Sequence, residues 1–179
     1  MTMFDPTIFD NLKVAFENQL YDLDNLTEQI QITHRTDRME MSVMSREFSL
    51  QFQLNDHQKI TGEIRLEASL RDLAAEILEL SGEIPACTLR LFFYMPVENV
   101  SNQCEQIEAI IQDIWQPELP PIQNLSFVYG QEPVIYMNKI ELRFHRKINE
   151  EQMGDIPTII DHALRTLTDL HKMESHPYK

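Results

Sequence analysis

The 179-residue sequence is poor in residue types on which several catalytic and structural motifs depend. It has only four glycines, and it contains none of the glycine-rich loops that cradle phosphates or dinucleotides. Its two cysteines, Cys87 and Cys104, form neither a disulfide framework nor a closely spaced zinc-binding pair. No apolar run approaches the roughly 18 residues typical of a membrane span, and the first residues do not predict a signal peptide. We therefore expect a cytoplasmic protein with no membrane partner, no metal and no cofactor.

Basic residues are also scarce, with 15 Lys and Arg against 29 Asp and Glu and a formal net charge of −14. Such an acidic surface repels phosphate backbones, so we expect no nucleic-acid partner. The length and the 42% share of hydrophobic residues predict a single domain over residues 1–179 with its own core. The only boundary candidate lies at residues 81–85, and it would divide the chain into lobes 1–82 and 83–179.

Apolar residues recur at two different periods along the chain. Spacings of three and four predict amphipathic helices, and strict alternation predicts strands with one wet face. In chain order, the predicted elements are a helix at 6–24, strands at 29–33, 38–43, 47–54 and 59–67, a helix capped by Ser69, a strand at 87–97, a helix at 102–115, strands at 122–129 and 133–147, and a helix after Asp155. We predict an α+β fold of order α-ββββ-α-β-α-ββ-α, with an antiparallel sheet and helices mainly on one side.

The strand at 133–147 is predicted to lie between the strands at 87–97 and 122–129, antiparallel to the first of them. This pairing assigns two groups of side chains to one face of the sheet. An apolar end carries Phe92, Tyr94, Ile135 and Met137, and a charged end carries Arg90, Lys139, Glu141, Arg143 and His145. The charged end has two interpretations. It is either a site for an anion or carboxylate, or a set of cross-strand ion pairs on a wet face.

The apolar end predicts an interface, because soluble proteins rarely leave such a patch exposed. We expect a homodimer that closes over Phe92, Tyr94, Ile135 and Met137. The competing hypothesis is that the first helix, whose stripe includes Leu12 and Phe16, covers the same patch.

No nucleophile–base pair and no metal constellation can be assembled from the residues, so we favour a non-enzymatic protein that binds a protein or a ligand. The alternative is an enzyme or a small-anion-binding protein that uses Arg90, Arg143 and His145. The spacing of His162, His171 and His176 does not predict a metal site, and His57 is expected to be solvated. In element order and acidic charge the chain resembles small acidic dimeric chaperones of secreted effectors. This resemblance implies a chaperone-like or adaptor-like role and carries over no individual residue.

Overall fold

The computed structural model describes residues 7–175. Its elements are α1 (Thr7–Asn25), β1 (Ile30–Glu40), β2 (Ser45–Leu54), β3 (His57–Ala68), α2 (Leu70–Ile77), β4 (Thr88–Val97), α3 (Val100–Trp115), β5 (Ile122–Ser126), β6 (Tyr136–Arg143), a 3₁₀ helix (Glu150–Asp155) and α4 (Ile156–Ser175). The predicted α+β class and the order of helices and strands are confirmed, and the segments predicted at 29–33 and 38–43 run together as β1. The predicted helix start at Asp5 and Pro6 lies outside the described residues.

The six strands form one sheet of order β1-β2-β3-β4-β6-β5, in which all neighbours are antiparallel. β6 lies between β4 and β5, as the sequence predicted. β3 and β4 pair directly, so the sheet is continuous across the segment 81–85. None of the helices between residues 7 and 175 is long and apolar enough to cross a membrane.

The helices α1, α3 and α4 bury long apolar stripes against the same face of the sheet, and the short α2 adds Leu73 to the same core. Phe9, Leu12, Phe16 and Leu20 recur at helical spacing on α1 and are fully buried in the core. The stripes of α3 and α4 join this core, which includes Leu91 and other side chains from the same face of the sheet. The opposite face, which carries Arg65, Phe92 and Glu141, is called here the open face.

The first strand departs from simple alternation. A β-bulge between Ile32 and His34 shifts its register with β2. The strand then ends at Glu40, and Met41 and Val43 lie in the turn with exposed fractions of 69% and 58%. Met41 and Val43, in the strand predicted at 38–43, therefore do not reach the core. The chain turns toward β2 after Glu40, and the alternation of residue types does not show where a strand ends.

Helix caps agree with the sequence at one position and differ at another. Ser69 caps α2 and forms the predicted capping box with Asp72. The N-cap of α3 is Asn99, whose side chain accepts a hydrogen bond from the backbone N–H of Asn102, so the helix begins two residues before the predicted start at 102. Because several polar residues precede α3, more than one of them satisfies the spacing rule for a cap.

Candidate functional site

The open face is a grid of alternating charges rather than a surface with one apolar and one charged end. In the pairing of β4 with β6, Arg90 lies opposite Arg143, Phe92 opposite Glu141 and Tyr94 opposite Lys139. This register places charged residues directly beside the two aromatic ones. The separation into two ends that the sequence suggested is therefore wrong, because alternation fixes which face a residue occupies but not its partner.

Phe92 is only 1% exposed, although it lies on the open face. The guanidinium of Arg65 lies 4.4 Å from the centre of its ring, and the ammonium of Lys139 lies 4.7 Å from it. The aliphatic stems of such side chains cover apolar surface while their charges reach water, and each cation is attracted to the ring face. Two neighbouring cations thus cover much of the Phe92 ring, which was predicted to be covered by a helix or a second subunit.

The other residues of the predicted interface are more accessible. Tyr94 and Ile135 are half-buried, and Met137 is 47% exposed. The first helix is not their cover, since α1 packs its stripe into the core on the opposite face of the sheet. The structure therefore excludes α1 as the cover of this patch, which was the alternative to a dimer. It also makes a dimer less necessary, because Arg65 and Lys139 already cover Phe92.

Glu63 lies at the centre of the open face and is 1% exposed. Its carboxylate accepts hydrogen bonds from Gln51 Nε2 at 2.8 Å, Arg65 Nε at 2.8 Å and the Tyr94 hydroxyl at 3.0 Å. Burial and the negative charge of Glu63 both raise the pKa of Tyr94, so its hydroxyl stays protonated as a donor. This network occupies the middle of the face with satisfied groups, which suits a structural role.

The predicted cationic cluster is divided by the structure. Arg90 pairs with Glu67 at 3.1 Å and with Glu141 at 3.6 Å, and Lys139 lies over Phe92. For Arg90 and Glu141 the interpretation as cross-strand ion pairs applies. Arg143 and His145 instead line a concave pocket at the end of β6, away from the centre of the open face.

This cavity, called here the β6 pocket, has a volume of about 560 Å³. Its apolar walls are formed by Leu89, Trp115, Pro117, Phe144, Ile148 and Ile159. Its basic side chains are Arg143, His145, Arg146 and Lys147, and its acidic ones are Glu118 and Asp155. Apolar walls with a few converging polar groups are typical of ligand sites.

Local contacts hold the basic segment 143–147 in place. Ile148 exchanges two backbone hydrogen bonds with Cys87, at 2.7 and 2.8 Å, just before β4 begins. Lys147 forms an ion pair with Asp72 of α2. Within residues 7–175, no carboxylate pairs with Arg143 or Arg146, and Arg143 Nε is buried without a hydrogen-bond partner. Guanidinium groups without a carboxylate partner beside a concave pocket can pair with an anion that enters it.

The wall opposite this segment is fixed by Trp115 at the end of α3. Its indole N–H donates to Thr166 Oγ1 at 2.9 Å, and its ring meets Phe144 edge to face at 6.1 Å. Gln116 ends α3 in the left-handed conformation, with φ of 44°, and turns the chain into Pro117. The indole therefore has a defined position beside the pocket.

Arg146 and Lys147 were not predicted as site residues. Alternation in the strand predicted at 133–147 places neighbouring residues on opposite faces, whereas β6 ends at Arg143 and both residues line the pocket beyond it. The available signal was charge density: four of the five residues 143–147 are Arg, His or Lys in a chain with a net charge of −14.

A second cavity of about 650 Å³ lies at the opposite end of β4 and is called here the histidine pocket. The rings of His57 and His171 lie 4.8 Å apart in it. Three acidic side chains and one basic one line it, namely Asp56, Glu98, Glu174 and Lys59. Within the described part of the chain, no group of three potential ligands is arranged to hold a metal ion. No sequence signal brings His57 and His171 together, since they are far apart in the chain.

His171 predicts a specific dependence of stability on pH. Burial, followed by the neighbouring His57, lowers the pKa of His171 below 6.5, although Glu174 opposes the shift. Between this lowered value and 6.5 the unfolded chain binds more protons, so stability falls as the pH is lowered through this window. The melting temperature of a His171→Gln variant should therefore fall less between pH 7.5 and 5.5 than that of the wild type. The control is His34→Gln, at an exposed position, and its melting temperature should fall as much as that of the wild type. If the melting temperatures of all three proteins fall equally over this pH range, the prediction is contradicted.

The cysteines do not have the properties of activated nucleophiles. Burial raises the pKa of the Cys87 thiol to about 12, and burial also raises the pKa of Cys104. An activated thiol requires the opposite shift.

Comparisons with models of protein families, with curated proteins and with solved structures find no match to this chain.

Proposed function

We propose that this protein acts by binding rather than by catalysis, and that the β6 pocket takes an apolar group that carries a carboxylate or a similar anion. The observation that supports this most directly is the unpaired state of Arg143 and Arg146 beside apolar walls, within residues 7–175. A ligand of this class satisfies both halves of the pocket, since its apolar part meets Trp115 and Phe144 and its charge meets the guanidinium groups.

The charge distribution supports the same ligand class. Three lining residues of the β6 pocket are cationic (Arg143, Arg146 and Lys147) and two are anionic, while the whole chain carries −14. The histidine pocket has the opposite balance, with one cation and three anions. A local positive group in a concavity with low-dielectric walls focuses the field on that place and attracts anions there.

The ion pairs of Arg90 favour binding over the enzymatic alternative. An enzyme built on Arg90, Arg143 and His145 needs all three side chains at one reacting group. Arg90 is paired with Glu67 and Glu141, and His145 has no carboxylate to orient its ring within the described residues. General acid–base catalysis by histidine commonly relies on such an orienting partner.

We place the protein in the cytoplasm, as a homodimer that binds a protein partner and no nucleic acid. The acidic surface supports the last point, because it repels phosphate backbones. In a chaperone-like or adaptor-like role, the pocket would receive an apolar side chain next to an acidic one on the partner.

The proposal is tested by a titration that uses the only tryptophan of the chain as the reporter. Octanoate should change the fluorescence of Trp115 saturably and bind at least tenfold more tightly than octanol. Hydrogen bonds to charged groups contribute about 1.5–3 kcal/mol, and about 1.4 kcal/mol corresponds to a factor of ten.

The double variant Arg143→Gln/Arg146→Gln should lose this preference for octanoate. Arg71→Gln is the control, since the Arg71 side chain is 79% exposed and pairs with Glu83 away from the pocket. Equal affinities for octanoate and octanol, or unchanged octanoate binding by the double variant, would reject the proposed ligand class.

A further inference from the structure

The β6 pocket contains two carboxylates, those of Glu118 and Asp155, that an apolar anion does not use. Glu118 lies in the turn after α3, and Asp155 ends the 3₁₀ helix directly before α4. Asp155 precedes Ile159 by four residues, about one helical turn, and both side chains line the pocket. Two carboxylates in the pocket oppose the binding of a simple anion, because like charges repel.

The positive and negative groups of the pocket do not neutralise one another. Within residues 7–175, neither the Glu118 nor the Asp155 side chain forms an ion pair or a hydrogen bond, and no carboxylate pairs with Arg143 or Arg146. The basic side chains all belong to the segment 143–147, whereas the two acidic ones come from other parts of the chain. Charges of both signs therefore line one cavity, and each sign is left to pair with a ligand.

We propose that the β6 pocket binds a free apolar α-amino acid. Its carboxylate pairs with Arg143 and Arg146, its ammonium group pairs with Glu118 and Asp155, and its side chain packs on the apolar walls beside Trp115. This inference rests on the proposed function of the pocket and adds the ammonium group to the ligand. An amino acid carries both charges at one end and an apolar group at the other, which matches the composition of the lining.

The requirement for both charges separates this ligand from related molecules. A fatty acid leaves the two carboxylates of the pocket next to its own negative charge, and an aliphatic amine leaves the guanidinium groups without an anion. The last residue of a peptide offers a carboxylate, but its nitrogen is an uncharged amide. The volume of about 560 Å³ is in the ordinary range for small-molecule sites.

The test compares ligands of the same chain length on the full-length protein, with the fluorescence of Trp115 as the reporter. L-α-aminooctanoate should bind at least tenfold more tightly than octanoate. This ratio corresponds to about 1.4 kcal/mol, close to what one hydrogen bond to a charged group contributes. N-acetyl-L-α-aminooctanoate, which has no ammonium group, should lose this advantage.

The double variant Glu118→Gln/Asp155→Asn should change the two affinities in opposite directions. It should weaken the binding of α-aminooctanoate at least tenfold, because the ammonium group loses its partners. It should strengthen the binding of octanoate, because two repelling charges are removed. A folding defect would weaken both ligands, and the single variant Glu118→Gln, at an exposed position, should then show the same opposite changes at a smaller size.

The matched control is Glu108→Gln/Asp161→Asn. It removes the same number of negative charges from exposed positions of α3 and α4 that do not line the pocket, so both affinities should stay unchanged.

The possible results distinguish this inference from the proposed function. Equal affinities of the wild type for α-aminooctanoate and octanoate, with octanoate still preferred to octanol, would overturn the inference and leave the proposed function standing. An acetylated ligand that binds as tightly as the free amino acid would also overturn it, since the ammonium group would then not be recognised. If octanoate has no advantage over octanol, the proposed function and this inference fail together.

Discussion

Replacing Glu63 by alanine is expected to lower the free energy of unfolding by about 3 kcal/mol, the lower end of the range for breaking a buried ion pair. Glu63 is 1% exposed, and its carboxylate is bonded by Arg65, Gln51 and Tyr94. Its removal leaves three donors without their acceptor, two of them half-buried beside Phe92. The side chain of Arg65 is 21% exposed and recovers some hydration, which is why we expect the lower end of the range. Urea denaturation would measure the loss, and the dependence of the unfolding free energy on urea concentration should stay unchanged.

Glu67→Ala is the matched control for this prediction, because Glu67 lies on the same strand and also forms an ion pair. Its carboxylate meets Arg90 at 3.1 Å, and its side chain is 26% exposed. Exposed pairs contribute about 0–1 kcal/mol, so this variant should remain close to the wild type. If the two alanine variants lose similar stability, the central position of Glu63 has no special importance.

Gly62→Leu is expected to destabilise the protein by about 3 kcal/mol, at the upper end of the range for overpacked cores. Gly62 lies on the buried face of β3, and a Cβ atom there would lie 3.1 Å from two ring atoms of Phe52 and 3.4 Å from Leu167 Cδ1. Phe52 is fully buried, so its ring cannot move away without disturbing the packing of α4 on the sheet. Thermal or urea unfolding would measure the effect.

Two further variants separate overpacking from the general cost of replacing a glycine. Gly154→Leu should change stability by less than about 0.5 kcal/mol, since Gly154 is exposed and a Cβ atom there meets nothing within 4 Å. In the double variant Gly62→Leu/Phe52→Ala, the new side chain fills the space that the ring leaves. The double variant should therefore cost less than the sum of the two single changes. Simple additivity would show that Gly62 and Phe52 do not compete for the same space.

Several features of the fold were readable in the sequence because they repeat along the chain. The stripes of α1 and α4 follow helical spacing, and the alternation in β2 and β3 identifies their buried faces. The capping box of Ser69 and Asp72 lies within four residues, so a local rule suffices. A glycine at a core-facing position of a strand indicates a bulge or a close contact, and at Gly62 the ring of Phe52 makes that contact.

The candidate site was predicted only in part. Arg143 and His145 line the β6 pocket, whereas Arg90 is paired with Glu67 and Glu141 on the open face. Alternation placed all three on one face of the sheet, but it could not indicate that the chain leaves β6 after Arg143 and pairs again at Ile148 with the segment just before β4. That path depends on the backbone pairing of Ile148 with Cys87, which no local pattern predicts.

Periodicity along the chain was thus enough to determine the α+β class and the order of the elements, because burying one side of a helix or strand requires a repeating pattern. The rule for connections between strands added the position of β6 between β4 and β5. Tertiary structure alone decided the register that places Lys139 beside Tyr94 and the bulge in β1. It also decided the cover of two cations over Phe92 and the meeting of His57 with His171. Each of these depends on residues distant in sequence, whose contacts arise only when the whole core packs and are not encoded in the spacing of neighbours.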